Sequence, residues 1–235
     1  MYQSIFSRIE KKYLLTETEF NLLMEALNGK INKDKNYFST ICNLYLDTKN
    51  YDLVKTSIEK PTYKEKFRIR SYNTPNLDDN VFFEIKKKYK DIVSKRREKI
   101  KLEDVYNYLE KGIYKNCNSQ IMKEIDYSVK RYGLIPSTYI AYERYSYCGN
   151  DDTNLRITFD ANLRYRDDEL RLEYGSSGKL LFDSPMYIME IKTLGGLPIW
   201  LSNILSDLKI YPKSFSKYGN VYKKYLFKKG EKKYV

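Results

Sequence analysis

Lys66-Phe67-Arg68-Ile69-Arg70 alternates charged and apolar side chains, and Phe83-Glu84-Ile85-Lys86 does so again. Successive side chains of a β-strand point to opposite faces, so each segment predicts a strand with one cationic face and one apolar face. The alternation recurs in both directions along the chain. It is present in Arg8-Ile9-Glu10-Lys11-Lys12, in Arg156-Ile157-Thr158-Phe159-Asp160 with Leu163-Arg164, and in Met189-Glu190-Ile191-Lys192. Acids sit two residues from bases on the same face: Glu10 beside Lys12, Glu84 beside Lys86, Glu190 beside Lys192.

Strands are expected over 4–14, 41–47, 63–72, 81–89, 92–100, 138–147, 155–164 and 187–193, with a short one near 180–182. Asn73-Thr74-Pro75-Asn76 and the stretch 149–153 are turn sequences, so the strands flanking each should form hairpins. Residues 49–55 read as a turn-rich stretch. Phe20, Leu23, Met24 and Leu27 fall at helical spacing and predict a helix over 17–27, capped by Thr16 or Thr18 and ending before Gly29. Further helices are expected over 102–111, stopped by Gly112, over 119–132, stopped by Gly133, and over 199–208, where Pro198 suits a first helical position. The Lys- and Tyr-rich tail from Lys213 is expected to be partly helical. No Pro/Gly/Ser-rich linker divides the chain, so residues 1–235 are read as a single domain. Mixed strands and helices without regular βαβ alternation imply an α+β fold with an antiparallel sheet.

The sequence has 235 residues, with 43 Lys+Arg against 31 Asp+Glu and a formal charge of +12. That surplus favours anionic partners. Its 25 tyrosines suit strands and half-buried surfaces. There is no histidine, which removes the commonest general base and metal ligand. The cysteines Cys42, Cys117 and Cys148 are far apart and odd in number; they suggest no zinc site and no disulfide framework, only small buried hydrophobes. No apolar run matches a signal peptide or a membrane span, so a soluble cytoplasmic protein is expected, with peripheral membrane contact through the basic surface left open.

A half-buried strand ordinarily turns its polar face to water. Here the cations recur in strand after strand, and clustered cations repel unless an anion joins them. The amphipathic helices also need an apolar surface to cover. A closed antiparallel barrel satisfies both demands: its lumen would be charged and its apolar outside clad by helices. Arginine and lysine rows bind phosphate, arginine as a fork and lysine as a point charge. Carboxylates among them make sense if they hold a divalent cation that bridges phosphate oxygens. Phosphoryl transfer needs mainly positioning and charge stabilisation, so histidine is dispensable. No Walker loop, GxGxxG, HxxxH or GxSxG competes with this reading.

Taken in order, Arg8-Ile9-Glu10-Lys11-Lys12-Tyr13, Tyr45-Leu46-Asp47, Lys66-Phe67-Arg68-Ile69-Arg70, Phe83-Glu84-Ile85-Lys86, Tyr142-Glu143-Arg144, Arg156-Ile157-Thr158-Phe159-Asp160, Met189-Glu190-Ile191-Lys192 and Phe215-Ser216-Lys217-Tyr218 resemble the VTC domain of polyphosphate polymerases, within the triphosphate tunnel (CYTH-like) superfamily. The resemblance runs nearly end to end. The first strand reads Arg-x-Glu-x-Lys where the broader superfamily has Glu-x-Glu-x-Lys, which favours the VTC branch. The resemblance implies a tunnel-shaped barrel that takes ATP and transfers its terminal phosphoryl group onto a polyphosphate chain. It implies Lys12, Arg68, Arg70, Lys86, Arg144 and Arg156 as the catalytic cations. Arg8, Lys95, Arg97, Arg164, Lys192, Lys213 and Lys217 are further phosphate-binding candidates. Glu190, helped by Glu10, would hold Mn²⁺ or Mg²⁺. The expected partners are ATP and inorganic polyphosphate, with inositol phosphates as a further class and no nucleic acid. Two alternatives stay open: hydrolysis of tripolyphosphate or a nucleoside triphosphate in the same tunnel, and a non-catalytic polyanion-binding module.

Overall fold

The computed structural model describes residues 8–90, 92–112 and 119–227. Its strands are β1 (Arg8–Thr16), β2 (Ile31–Asp47), β3 (Tyr63–Tyr72), β4 (Asn80–Tyr89), β5 (Ile92–Lys101), β6 (Ile135–Gly149), β7 (Arg156–Arg166), β8 (Lys179–Leu180) and β9 (Met186–Leu194). The helices are α1 (Glu17–Ala26), α2 (Asp52–Ile58), α3 (Leu102–Lys111), α4 (Gln120–Tyr132), α5 (Ile199–Asp207) and α6 (Lys217–Val221), the last continuing into a π-helical turn over Tyr222–Leu226. None is long and apolar enough to cross a membrane.

Hydrogen bonds link the strands in the order β1-β9-β7-β6-β2-β3-β4-β5, with β8 on β7. The α+β class and the antiparallel sheet are as expected; the closed barrel is not found. Among the described residues no ladder joins β1 to β5. The physical reason is visible on β5: residues 92–97 are exposed and include Lys95, Arg96 and Arg97. An edge lined with like charge resists pairing with another strand.

The chain divides into two compact units. One comprises Met1–Ser39, Tyr142–Leu163 and Leu180–Phe215; the other comprises Thr40–Ala141, Arg164–Lys179 and Ser216–Val235. In the first, Tyr13 and Leu15 of β1, Ile157 and Phe159 of β7, and Met189 and Ile191 of β9 pack with Leu23 and Leu27 around α1 and Leu201 and Leu205 of α5. In the second, Phe67 and Ile69 of β3 and Phe83 and Ile85 of β4 pack with Leu102 and Val105 of α3 and Met122 and Ile125 of α4. In each unit, therefore, helices cover the apolar strand face and the charged residues occupy the other. Each of these fully buried aliphatic or aromatic side chains contributes about 1.5–3 kcal/mol by leaving water.

Local signals explain most boundaries. Thr16 caps α1 in a capping box with Glu19, and Ser119 caps α4 through Met122 N–H. Gly112 and Gly133 end α3 and α4 at positive φ. Three expectations are corrected. Residues 52–58 form α2, and β2 begins at Ile31, ten residues before the predicted start. Pro198 stands one position before α5 rather than as its first residue. Cys42 is buried, Cys148 is only half-buried, and both are free thiols; Cys117 and the tail lysines from Lys228 onward lie outside the described residues.

Candidate functional site

The charged strand faces form two clusters, one in each unit. In the first unit β1 and β9 are antiparallel and in register: Lys12 lies opposite Glu190, and Glu10 opposite Lys192. The acid-then-base spacing on both strands produces this, since antiparallel pairing sets each acid against the other strand's base. Lys12 Nζ stands 3.4 Å from Glu10 and 3.8 Å from Glu190. Lys192 Nζ closes on the other oxygen of Glu190. On the far side of β9, Arg156 of β7 lies opposite Lys192, and Thr158 opposite Glu190. Glu190 is 11% exposed at its side chain. Burial alone would raise its pKa, but Lys192, Lys12 and Arg144 bring it down to about 2. It is therefore a carboxylate held ionised in a partly dry site.

Arg144 of β6 is locked by the wholly buried Asp160 of β7, with Nε 2.6 Å and Nη2 2.8 Å from the two carboxylate oxygens. That bidentate fork keeps Arg144 charged, its pKa pushed well above the usual range despite burial. Arg8 occupies the β1 position opposite Leu194. Lys213 meets β1 through its backbone, donating its N–H to the carbonyl of Lys12 at 2.8 Å.

In the second unit the centre is Glu84 of β4, 2% exposed at its side chain. Its Oε2 accepts from Arg68 Nε and Nη2, each at 2.7 Å, and Lys95 Nζ lies 2.7 Å from Oε1. Arg70 Nε is 3.9 Å from Oε2 and donates to Asn43 Oδ1 at 2.9 Å. Burial would raise the Glu84 pKa; Arg68, Arg70 and Lys95 overcome it and hold it at about 2. Lys95 keeps 40% of its side chain exposed, but partial burial of its ammonium, with Arg70 and Arg68 nearby, pulls its pKa down to about 8 in spite of Glu84. Beyond this knot lysines face one another across the strands. Lys66 lies directly opposite Lys86, Lys64 opposite Lys88, and Lys86 opposite Lys95. Arg97 lies over the Phe82 ring at 4.5 Å. Lys87, between Lys86 and Lys88, points to the helix-covered face and pairs with Glu124 and Glu65.

Within the first unit the structure thus brings together Glu10, Lys12, Arg144, Arg156, Glu190 and Lys192. Within the second it gathers Arg68, Arg70, Lys86, Lys95 and Arg97. Arg164 is placed differently: past Asn162, whose φ is 50°, its guanidinium is bonded to the carbonyl and hydroxyl of Ser176. Lys217 opens α6 directly after the cap residue Ser216, whose hydroxyl accepts from Lys66 Nζ at 2.8 Å. Asn43 and Asp160, which orient arginines of the two clusters, were not among the predicted site residues. Their sequence signal is a polar residue on the charged face of a strand, and it identifies no partner.

Among the described residues no three acidic or cysteine side chains converge as a ready metal site. Around Glu190 the available donors are its own carboxylate, that of Glu10, and the hydroxyl of Thr158, which is buried and has no hydrogen-bond partner among the described residues. All are oxygens. A hard divalent ion commonly takes one or two carboxylates and completes its shell with water and substrate phosphate, so this donor set fits Mg²⁺ or Mn²⁺.

Among solved structures, a Bacillus halodurans protein proposed to be an adenylate cyclase aligns with 89% of this chain and 93% of its own, at 14% identity and a TM-score of 0.54. That likeness shows a shared fold. A Pyrococcus horikoshii OT3 protein covers 94% of this chain and 99% of its own, at 16% identity and a TM-score of 0.47. No curated protein matches the sequence. The VTC domain family model matches residues 7–226, nearly the whole length, and the chain belongs to that family.

Proposed function

We propose that the protein is a metal-dependent phosphotransferase that makes inorganic polyphosphate, moving the terminal phosphoryl group of ATP onto a phosphate chain. The observation that carries this reading is the direct pairing of like charges across β3, β4 and β5: Lys64 with Lys88, Lys66 with Lys86, Lys86 with Lys95. Like charges placed directly opposite destabilise a sheet. A sheet that keeps three such pairs in sequence is suited to a polyanion lying along it.

Arg68, Arg70 and the lysines of that face would bind phosphate oxygens. Glu190 and Glu10 would hold Mn²⁺ or Mg²⁺, with Thr158 on the strand opposite Glu190, and the ion would supply charge neutralisation to a phosphate bound there. Lys12 and Lys192 pair with Glu190; a lysine ammonium sits on a flexible stem and could turn to phosphate were the carboxylate to hold an ion. The attacking group is an anionic phosphate oxygen, which needs no strong base, in keeping with a sequence that has no histidine.

The test is to incubate the purified protein with ATP and Mn²⁺ and assay ADP and acid-labile phosphate polymer. Both should form, and Glu190→Gln should lower the rate by about a hundredfold or more, the scale for losing a group that stabilises charge in the transition state. Orthophosphate without polymer would replace this reading with hydrolysis. Neither ADP nor polymer from wild type, with tight polyanion binding indifferent to a chelator, would replace it with a binding module.

A further inference from the structure

The two buried glutamates differ in what surrounds them, and the difference assigns a part to Glu84. Both of its oxygens face cations: Oε2 accepts from Arg68 at 2.7 Å, and Oε1, which lacks an aligned hydrogen bond among the described residues, is held by the Lys95 ammonium as an ion pair at 2.7 Å, with Arg70 3.9 Å away. The arginines are fixed from behind as well. Asn43 accepts from Arg70 while its own amide donates to the carbonyl of Ile140 at 3.1 Å, and Tyr45 lies 3.3 Å from Arg68 Nη1. An arginine does not deprotonate, and its planar fork resists rearrangement. A metal ion would have to displace the arginine fork and Lys95 together to reach this carboxylate.

We infer that Glu84 is a positioning residue: it holds Arg68, Arg70 and Lys95 as a preformed claw for a phosphate group and takes no metal. This inference rests on the phosphotransferase reading above. Three cations and one carboxylate leave a formal surplus of two positive charges, which matches the roughly two negative charges of a terminal phosphate at pH 7. Fixing donors in place before the substrate arrives avoids reorganisation during the reaction. Without the carboxylate the claw would carry more charge but lose its geometry.

That reasoning separates positioning from mere structural support. Glu84→Gln should bind tripolyphosphate as tightly as wild type or a few-fold tighter, at unchanged calorimetric stoichiometry, because one neutralising charge is gone. Its kcat should fall by about thirtyfold or more while KM stays level or drops, the pattern of an interaction used in the transition state. A variant that was partly unfolded would instead lower the stoichiometry. Glu84→Asp keeps the charge but is one methylene too short to reach Arg68 and Lys95 together; it should recover part of the lost kcat, and it carries the test if Glu84→Gln does not fold.

A Glu84→Gln enzyme with kcat within about threefold of wild type would overturn the inference. So would tripolyphosphate affinity weakened tenfold, or a tenfold rise in the Mn²⁺ concentration that half-activates, which would mark Glu84 as a metal ligand. If wild type itself neither binds nor turns over triphosphate, the phosphotransferase reading fails and takes this inference with it. If wild type is active and only the Glu84 result fails, the reading stands and the inference alone is lost.

Discussion

Phe83-Glu84-Ile85-Lys86 on β4 and Met189-Glu190-Ile191-Lys192 on β9 are nearly the same four residues, and both glutamates are buried carboxylates held near pKa 2 by three cations. Their partners differ. Glu84 is gripped by Arg68 at 2.7 Å, with Arg70 behind it at 8% side-chain exposure. Glu190 faces Lys12 and Lys192, whose side chains are 30% and 31% exposed. Guanidinium forks bind carboxylates in a fixed plane, whereas ammonium groups are strongly hydrated and mobile. One motif therefore yields a committed carboxylate in the second unit and an exchangeable one in the first. The partner on the neighbouring strand, Arg68 of β3 in one case and Lys12 of β1 in the other, sets which is which.

The sharpest way to break this comparison is stability. Both pKa values lie below the ordinary carboxylate value near 4.5, so each ionised glutamate favours folding above about pH 4.5, and its contribution fades as pH falls toward 2. Replacement by glutamine should separate them at pH 7. Glu84→Gln removes the carboxylate that neutralises the half-buried Arg68 and the buried Arg70 and should cost about 3 kcal/mol in urea denaturation. Glu190→Gln releases two lysines that reach water and should cost about 1 kcal/mol or less. At pH 2.5 the gap between wild type and Glu84→Gln should shrink. Equal losses at pH 7 would erase the distinction between the two sites.

Much of this architecture was legible because the alternation is a local property. The strands β3, β4, β5 and β9 and the helix ends at Gly112 and Gly133 follow from period and punctuation alone. What was missed depends on distant partners. Helix α2 has seven residues and its N-cap, Tyr51, makes no side-chain cap; Asp47, on the preceding strand, accepts the N–H groups of Leu53 and Val54 instead. The first part of β2 runs through Asn32, Lys33, Asp34, Lys35 and Asn36, mostly exposed, with no apolar face to announce a strand. Closure of the sheet was not readable either, because alternation within a strand says nothing about what its outer edge will pair with. In the candidate site the residue types and faces were readable. The pairings were not: Arg144 with Asp160, and Arg70 with Asn43, exist only once register is set.

Lys95 offers the next test of the committed cluster. Its pKa is lowered to about 8, chiefly by partial burial of the ammonium, so it is charged below that pH and increasingly neutral above it. If it is part of the phosphate claw, tripolyphosphate affinity should fall by about tenfold between pH 7 and pH 9, one lost charge being worth on the order of 1–2 kcal/mol. Lys95→Arg stays charged throughout and should flatten that fall. A wild-type affinity that is level across this range would remove Lys95 from the binding face and leave it as the neutralising partner of Glu84.

The smallest effect asked of the comparison concerns the lysine rows that face one another across β3 and β4. Lys64 lies directly opposite Lys88, and its pKa is lowered by burial first and then by Lys88 and Lys60. Its ammonium donates to the carbonyl of Ser57 at 3.2 Å and stays in place when Lys88 is changed. Lys88→Gln should therefore raise stability at pH 7 by about 0.5 kcal/mol, the scale of a relieved cross-strand repulsion. It should also weaken polyphosphate binding by about threefold. Gain in one measurement with loss in the other is the signature of a residue kept for its ligand at a cost to the fold. Destabilisation by Lys88→Gln would mean instead that the pair is already compensated within the protein, and the case for an anion along this face would then rest on Arg68, Arg70 and Lys95 alone.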